Sequence, residues 1–131
     1  MSTRAVYTFK DERQSYAVYK HYDGYPSGAV GFIKNALGMS WGGGRFEASE
    51  LAAAFVAANK KGAGDVYLTE GQHRHGDIDY DYVIYFRNEL CIDAYEHRWG
   101  EEEKKRIRFY TGSFESFYNS RKDPDEGAFA A

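Results

Sequence analysis

Residues 3–37 read TRAVYTFK DERQ SYAVYKH YDGYP SGAVGFIKNAL, and the spacing of apolar positions along this stretch decides the fold class. Between residues 3 and 10, Ala5, Tyr7 and Phe9 alternate with Arg4, Val6 and Thr8, the period-2 pattern of a strand. Residues 15–21 alternate again. The polar tetrapeptide Asp11-Glu12-Arg13-Gln14 between the two runs predicts a hairpin whose loop is longer than the tight two-residue kind. After a break at Asp23-Gly24-Tyr25-Pro26, the residues Ala29, Val30, Ile33, Ala36 and Leu37 fall on one helical stripe with Phe32 at its edge. Ser27 is the expected N-cap of a helix over 27–37, and Gly38 its stop signal.

Working outward, the glycines between Gly38 and Gly44 make residues 41–46, which include Trp41, a flexible connection. Alanine-rich residues 48–60 predict a second helix, with Leu51, Phe55 and Ala58 on its buried stripe. Residues 65–69 read as a short strand, 70–79 as a polar loop, and 82–87 and 90–97 as two strands joined by a tight turn at Asn88-Glu89. The charged run at 101–106 reads as a solvated turn of helix or loop. Residues 107–111 read as a last strand and 113–120 as a short helix. The order is ββααββββα. It predicts one α+β domain over 1–122, with a C-terminal tail at 123–131: an antiparallel sheet of five or six strands with two or three helices on one face. The second face is left partly open, carrying a surplus of Tyr, Arg and His.

Composition bounds the function. At 131 residues with 43% hydrophobic content, the chain is long enough for one core. A net charge of −3 disfavours non-specific binding to nucleic acid or to an anionic membrane, although Lys104, Lys105, Arg106 and Arg108 form a local basic patch. The wholly apolar run at 51–58 is too short to cross a bilayer, and no charged-then-apolar leader opens the sequence. A lone cysteine, Cys91, fits a reducing cytosol, so a cytoplasmic location is expected. Twelve tyrosines are a surplus that serves either a half-buried sheet or an interface, and unpaired edge strands with a Tyr-rich face make a homodimer reasonable.

The corner at residues 20–28 is the first constellation with chemical potential. A helix N-terminus there offers backbone N–H groups to an anion, and Lys20, His21 and Arg4 add positive charge beside it. Asp23 opposes such a ligand; it serves instead to cap the helix or to hold His21 in one tautomer. Read as structure, the same residues are a Gly/Pro corner stapled by aromatics.

Thr3-Arg4, a short hairpin and then His21-Tyr22-Asp23-Gly24-Tyr25-Pro26 resemble small proteins of bacteriophages and mobile elements, in which the motif reads His-Trp-Asp-Gly-Tyr-Pro before a helix. Residues 81–92 look similar to a Tyr-X-Tyr strand and hairpin of those proteins. Tyr22 stands where Trp is usual, and the resemblance extends over about a quarter of the chain. It implies a phage or prophage setting and no particular chemistry. By analogy of setting, it implies a partner in the host machinery, host-defence systems included, as for anti-CRISPR-like inhibitors.

His73, His75, Asp77, Asp79 and Asp81 alternate, and in an extended segment they would share a side able to hold a divalent metal. The pattern lacks the glycine and distant glutamate of a calcium loop and the second cysteine of a zinc knuckle. No cofactor is expected. Cys91 sits mid-strand, where only an open face would let His21 or His97 approach it. Two functions follow. The first is a non-enzymatic binding protein that docks on a host protein or complex through an aromatic-rich sheet face or the Trp41 glycine loop, with Tyr22, Tyr25 and Trp41 as anchors. The second is a site for a nucleotide or other small anion at the corner, whether it sequesters or hydrolyses. There Arg4, Lys20 and His21 would hold charge, Asp23 would orient His21, and Tyr22 or Tyr25 would stack on a ring.

Overall fold

The structure, a computed structural model, describes residues 2–41 and 44–122. The tail expected at 123–131 lies outside the described residues. The elements run β1 (Ala5–Lys10), β2 (Ser15–Lys20), α1 (Pro26–Gly38), α2 (Ala48–Asn59), β3 (Val66–Thr69), a 3-10 turn (Gln72–Arg74), β4 (Tyr80–Phe86), β5 (Leu90–Trp99), β6 (Lys104–Ser113) and α3 (Phe114–Arg121). This is the expected α+β class, with one sheet ordered β3-β2-β1-β4-β5-β6.

The sheet is mixed and not wholly antiparallel, because β1 pairs parallel to β4, Ala5 opposite Tyr80 through Phe9 opposite Ile84. The cause is topological. The first hairpin occupies one edge of β1, and β3 adds antiparallel to β2, so β3 points the same way as β1. Reaching β1's free edge from β3 requires a crossover, and residues 70–79 make it across the face opposite the helices. That loop is therefore not simply polar surface. Ile78 is buried on Val6, Ala17 and Tyr19, and the His75 ring stacks on Tyr19 at 4.8 Å between centroids.

On the other face the three helices cover a core in which the β1 alternation holds, Ala5, Tyr7 and Phe9 all being buried. Ala29, Val30, Ile33 and Ala36 of α1 and Leu51 and Phe55 of α2 join them. Two expectations about the helices need correction. Ser27 does not cap α1: the N-cap is Tyr25, without a side-chain bond, and Pro26 occupies the first turn, where its missing N–H is tolerated. On α2, Ala58 is only half-buried, and Asn59 is buried beside it because its amide donates to the Phe32 and Phe55 carbonyls at 2.9 and 3.0 Å. The start of α2 is capped from outside. Asp11, in the β1–β2 loop, accepts the Ala48 N–H on one oxygen and those of Arg13 and Gln14 on the other.

The charged run resolves into a turn and a strand, with β6 beginning at Lys104. A bulge near Ala94 and Tyr95 lets Phe109 turn inward onto Tyr80 and Phe117 while Arg108 stays opposite Tyr95.

Candidate functional site

The corner at 20–28 is built by close approach. Gly24 donates its N–H to the Thr3 carbonyl, and a Cβ on it would meet the Ala5 Cβ at 2.5 Å. A Cβ on Gly28 would lie 2.1 Å from the Asp23 carbonyl oxygen, and Asp23 itself sits in the left-handed region at φ 60°. The Tyr82 hydroxyl reaches across from β4 to donate to the Gly24 carbonyl at 2.7 Å. The His-Tyr-Asp-Gly-Tyr-Pro motif thus has a structural role, a corner packed against the first strand.

The expected anion-holding set does not converge there. The Lys20 side chain is buried, with Nζ 3.0 Å from the Asp65 carboxylate and 4.3 Å above the Phe32 ring. His21 shares a 2.8 Å hydrogen bond with the Tyr19 hydroxyl through Nδ1, so Tyr19 and not Asp23 orients it. Arg4 turns to the crossover, pairing with Asp77 through its side chain and donating its backbone N–H to Asp79. Tyr22 and Asp23, with Lys20, line a groove of about 560 Å³ that also touches Asn35, Asn59 and Asp65. Tyr25 lines a separate cleft of about 230 Å³ with Tyr80 and Glu96. Trp41 lies under the Arg45 guanidinium, 3.6 Å from its ring centroid, at the α1–α2 connection. The expected anchors therefore lie at three places and form no single surface.

The alternating histidines and aspartates are likewise dispersed. His75 bonds the Thr69 hydroxyl through Nε2 at 2.7 Å, and burial holds its ring below the usual histidine pKa. Asp77 and Asp79 serve Arg4, as above, and His73 follows Gln72 in the 3-10 turn. Among the described residues no three His, Cys, Asp or Glu side chains come together as a metal site would require. Cys91 is half-buried, and burial raises its thiol pKa away from the reactive thiolate. His21 and His97, the histidines considered for it, are bonded to Tyr19 and Asp81.

A polar network that sequence reading did not assemble lies under the open face. Asp81, fully buried, accepts from Arg106 on both oxygens at 2.8 and 2.7 Å and bonds His97 Nε2 at 2.6 Å. Burial alone would raise the Asp81 pKa, but the hydrogen bonds and charges of Arg106 and His97 outweigh it and hold the carboxyl below its usual value. The signal was present as alternation. Asp81 on β4, His97 on β5 and Arg106 on β6 all lie on the side opposite the helices, but only the register brings them together.

Above this network the face of β4, β5 and β6 carries no helix among the described residues. Arg106 stacks on Tyr95 at 3.6 Å, Tyr85 donates to Asp93 at 2.9 Å, and Trp99 is 71% exposed. The β6 strand is the sheet edge, and Lys104, Lys105, Arg106 and Arg108 lie among its first five residues. Lys104 donates to the His75 carbonyl and Arg106 belongs to Asp81, whereas Lys105 and Arg108 have no carboxylate within ion-pair distance among the described residues. Lys105 faces Arg98 in register on the other side of these strands, where Arg98 pairs with Glu96 at 2.6 Å.

No helix among the described residues is long and apolar enough to cross a membrane. No protein family, curated protein or solved structure matches this chain.

Proposed function

We propose that the protein is a non-catalytic binding protein that docks on another protein through the open face and cationic edge of β4, β5 and β6. One observation carries this reading: an exposed Trp99, the Arg106–Tyr95 stack and Arg108, a cation with no carboxylate in ion-pair reach, lie together on a sheet surface that no helix among the described residues covers. Tryptophan, tyrosine and arginine are the side chains that most often dominate interface energies. Arg108 has no carboxylate partner among the described residues, and an acidic partner surface would supply one. That the partner is a host protein, a defence component included, rests on the resemblance of the 21–26 corner to phage and mobile-element proteins.

The test is capture of the partner from a bacterial host lysate, followed by binding measurements on purified variants. Trp99→Ala and Arg108→Ala should each weaken binding by about tenfold or more, and the Arg108 effect should shrink at high salt. If both variants are folded and bind as tightly as the unaltered chain, the face is not the docking site. A loss confined to Tyr22→Ala, Tyr25→Ala or Trp41→Ala would move the site to the helix layer.

The corner as a small-molecule site is the second reading, favoured by the groove beside Lys20 and Tyr22.

A further inference from the structure

Five polar or charged side chains are buried among the described residues, and three of them, Lys20, Asn59 and Asp65, line the groove between α1 and the β2–α1 corner. The other two are the Asp81–His97 pair. Burial of polar groups is unfavourable unless their hydrogen bonds are made, so the concentration of three at the floor of one concavity calls for an accounting of what each still offers.

Asn59 offers little. Its amide nitrogen donates to Phe32 and Phe55, and its oxygen accepts from Asn35 Nδ2 at 3.3 Å. Asp65 is committed on both oxygens, to Lys20 and to the Lys61 N–H at 3.2 Å. Lys20 is different. An ammonium has three N–H donors, and one goes to Asp65 while the group rests over the Phe32 ring. Asn35, which is exposed, gives one N–H to Asn59 and keeps a second donor and its carbonyl oxygen. The groove therefore retains a cationic donor at its floor and an amide edge on its wall. At its rim stands the Tyr22 ring, 51% exposed.

Charge decides which ligand suits this arrangement. Lys20 and Lys61 are balanced by Asp23 and Asp65 in the same lining, so there is no net attraction for a phosphate. At about 560 Å³ the groove is within the range of small-molecule sites, roughly 300–1,000 Å³. We infer that it is a binding site for a neutral planar heterocycle with adjacent donor and acceptor atoms, the nucleobase class. The base stacks on Tyr22, offers its amide-like edge to Asn35 and accepts from Lys20. The site is separate from the docking face and stands or falls independently of it.

The test is a two-dimensional amide NMR titration of the full chain with uridine, cytidine, adenosine and guanosine, repeated with their 5′-monophosphates. Saturable shifts at residues 20–23, 35 and 61–65 with at least one nucleoside are expected. The monophosphate should bind no tighter than its nucleoside. Asn35→Ala and Tyr22→Ala, both at exposed positions, should weaken binding by about fivefold or more each, as expected for one hydrogen bond or one stacking contact. Three results would overturn the inference: no saturable shift with any nucleoside up to millimolar concentration, shifts that ignore both substitutions, or binding that requires the phosphate, which would mark an anion site.

Discussion

Tyr7 and Tyr82 lie ring on ring in the core, 5.2 Å between centroids, and differ in where their hydroxyls end. Tyr82 donates to the Gly24 carbonyl at 2.7 Å, while the Tyr7 hydroxyl is buried without a hydrogen-bond partner among the described residues. The same one-atom deletion should therefore have opposite signs at neighbouring sites. In Tyr82→Phe the Gly24 carbonyl loses its donor inside the protein, which costs about 1–3 kcal/mol. In Tyr7→Phe an unsatisfied hydroxyl leaves an apolar site lined by Phe55 and Tyr82, and the domain gains about 1 kcal/mol. For a chain of this length that gain is a rise in Tm of roughly 4 °C. Urea unfolding followed by far-UV circular dichroism reads both, with an unchanged slope required if only the folded state is altered. Equal destabilisation of the two variants, or a loss larger than about 0.5 kcal/mol in Tyr7→Phe, would refute the hydrogen-bond accounting and mean that the Tyr7 hydroxyl has a partner such as an internal water.

The glycines of α1 give a second contrast. Gly28→Ala should cost about 2 kcal/mol or more, since its Cβ would sit on the Asp23 carbonyl, while Gly31→Ala, with open space around it, should add about 0.5–1 kcal/mol of helix stability. Thermal melts of the two variants check both signs. The Asp81 network sets an acid limb. Because its folded-state pKa lies below the unfolded carboxyl value of about 3.9, its contribution is full above about pH 4 and is lost as pH falls further. Asp81→Asn should thus cost about 3–5 kcal/mol at pH 7 by leaving Arg106 and His97 without their anion, and should flatten the decline below pH 4 in a pH series of urea melts.

Local pattern carried most of the fold. The Tyr7 and Phe9 alternation, the stripe at Ala29, Val30 and Ile33, and the Asn88-Glu89 turn depend on neighbours a few positions away, and each lies where periodicity puts it. The parallel pairing of β1 with β4 was hidden because nothing near Ala5 specifies Tyr80 as its partner. The fate of Ile78 was hidden with it, since an apolar residue in a polar loop shows its role only once the crossover is known. The same limit governed the sites. Lys20 and His21 read as free charges at a helix end, yet Asp65 and Tyr19 neutralise or orient them through contacts made by tertiary placement. The basic run at 104–108 was legible as a patch, but its position at the sheet edge, opposite Arg98, depends on the β5–β6 register.

The crossover also sets an order of events in time. β1 is the strand on which both halves of the sheet meet, and its two edges become available for pairing at very different moments. β2 follows it directly in sequence, whereas the contact of Arg4 with Asp79 joins residues 75 positions apart. During synthesis the first hairpin, α1, α2 and β3 emerge before any residue of β4, so the inner edge of β1 stays bare while its apolar face is already exposed to collapse. The closing loop is long, and the entropy lost in closing it must be offset in one step by the central pairing and the burial of Ile78. The sheet therefore assembles late and as a unit, with the last third of the chain acting as the template that completes the first.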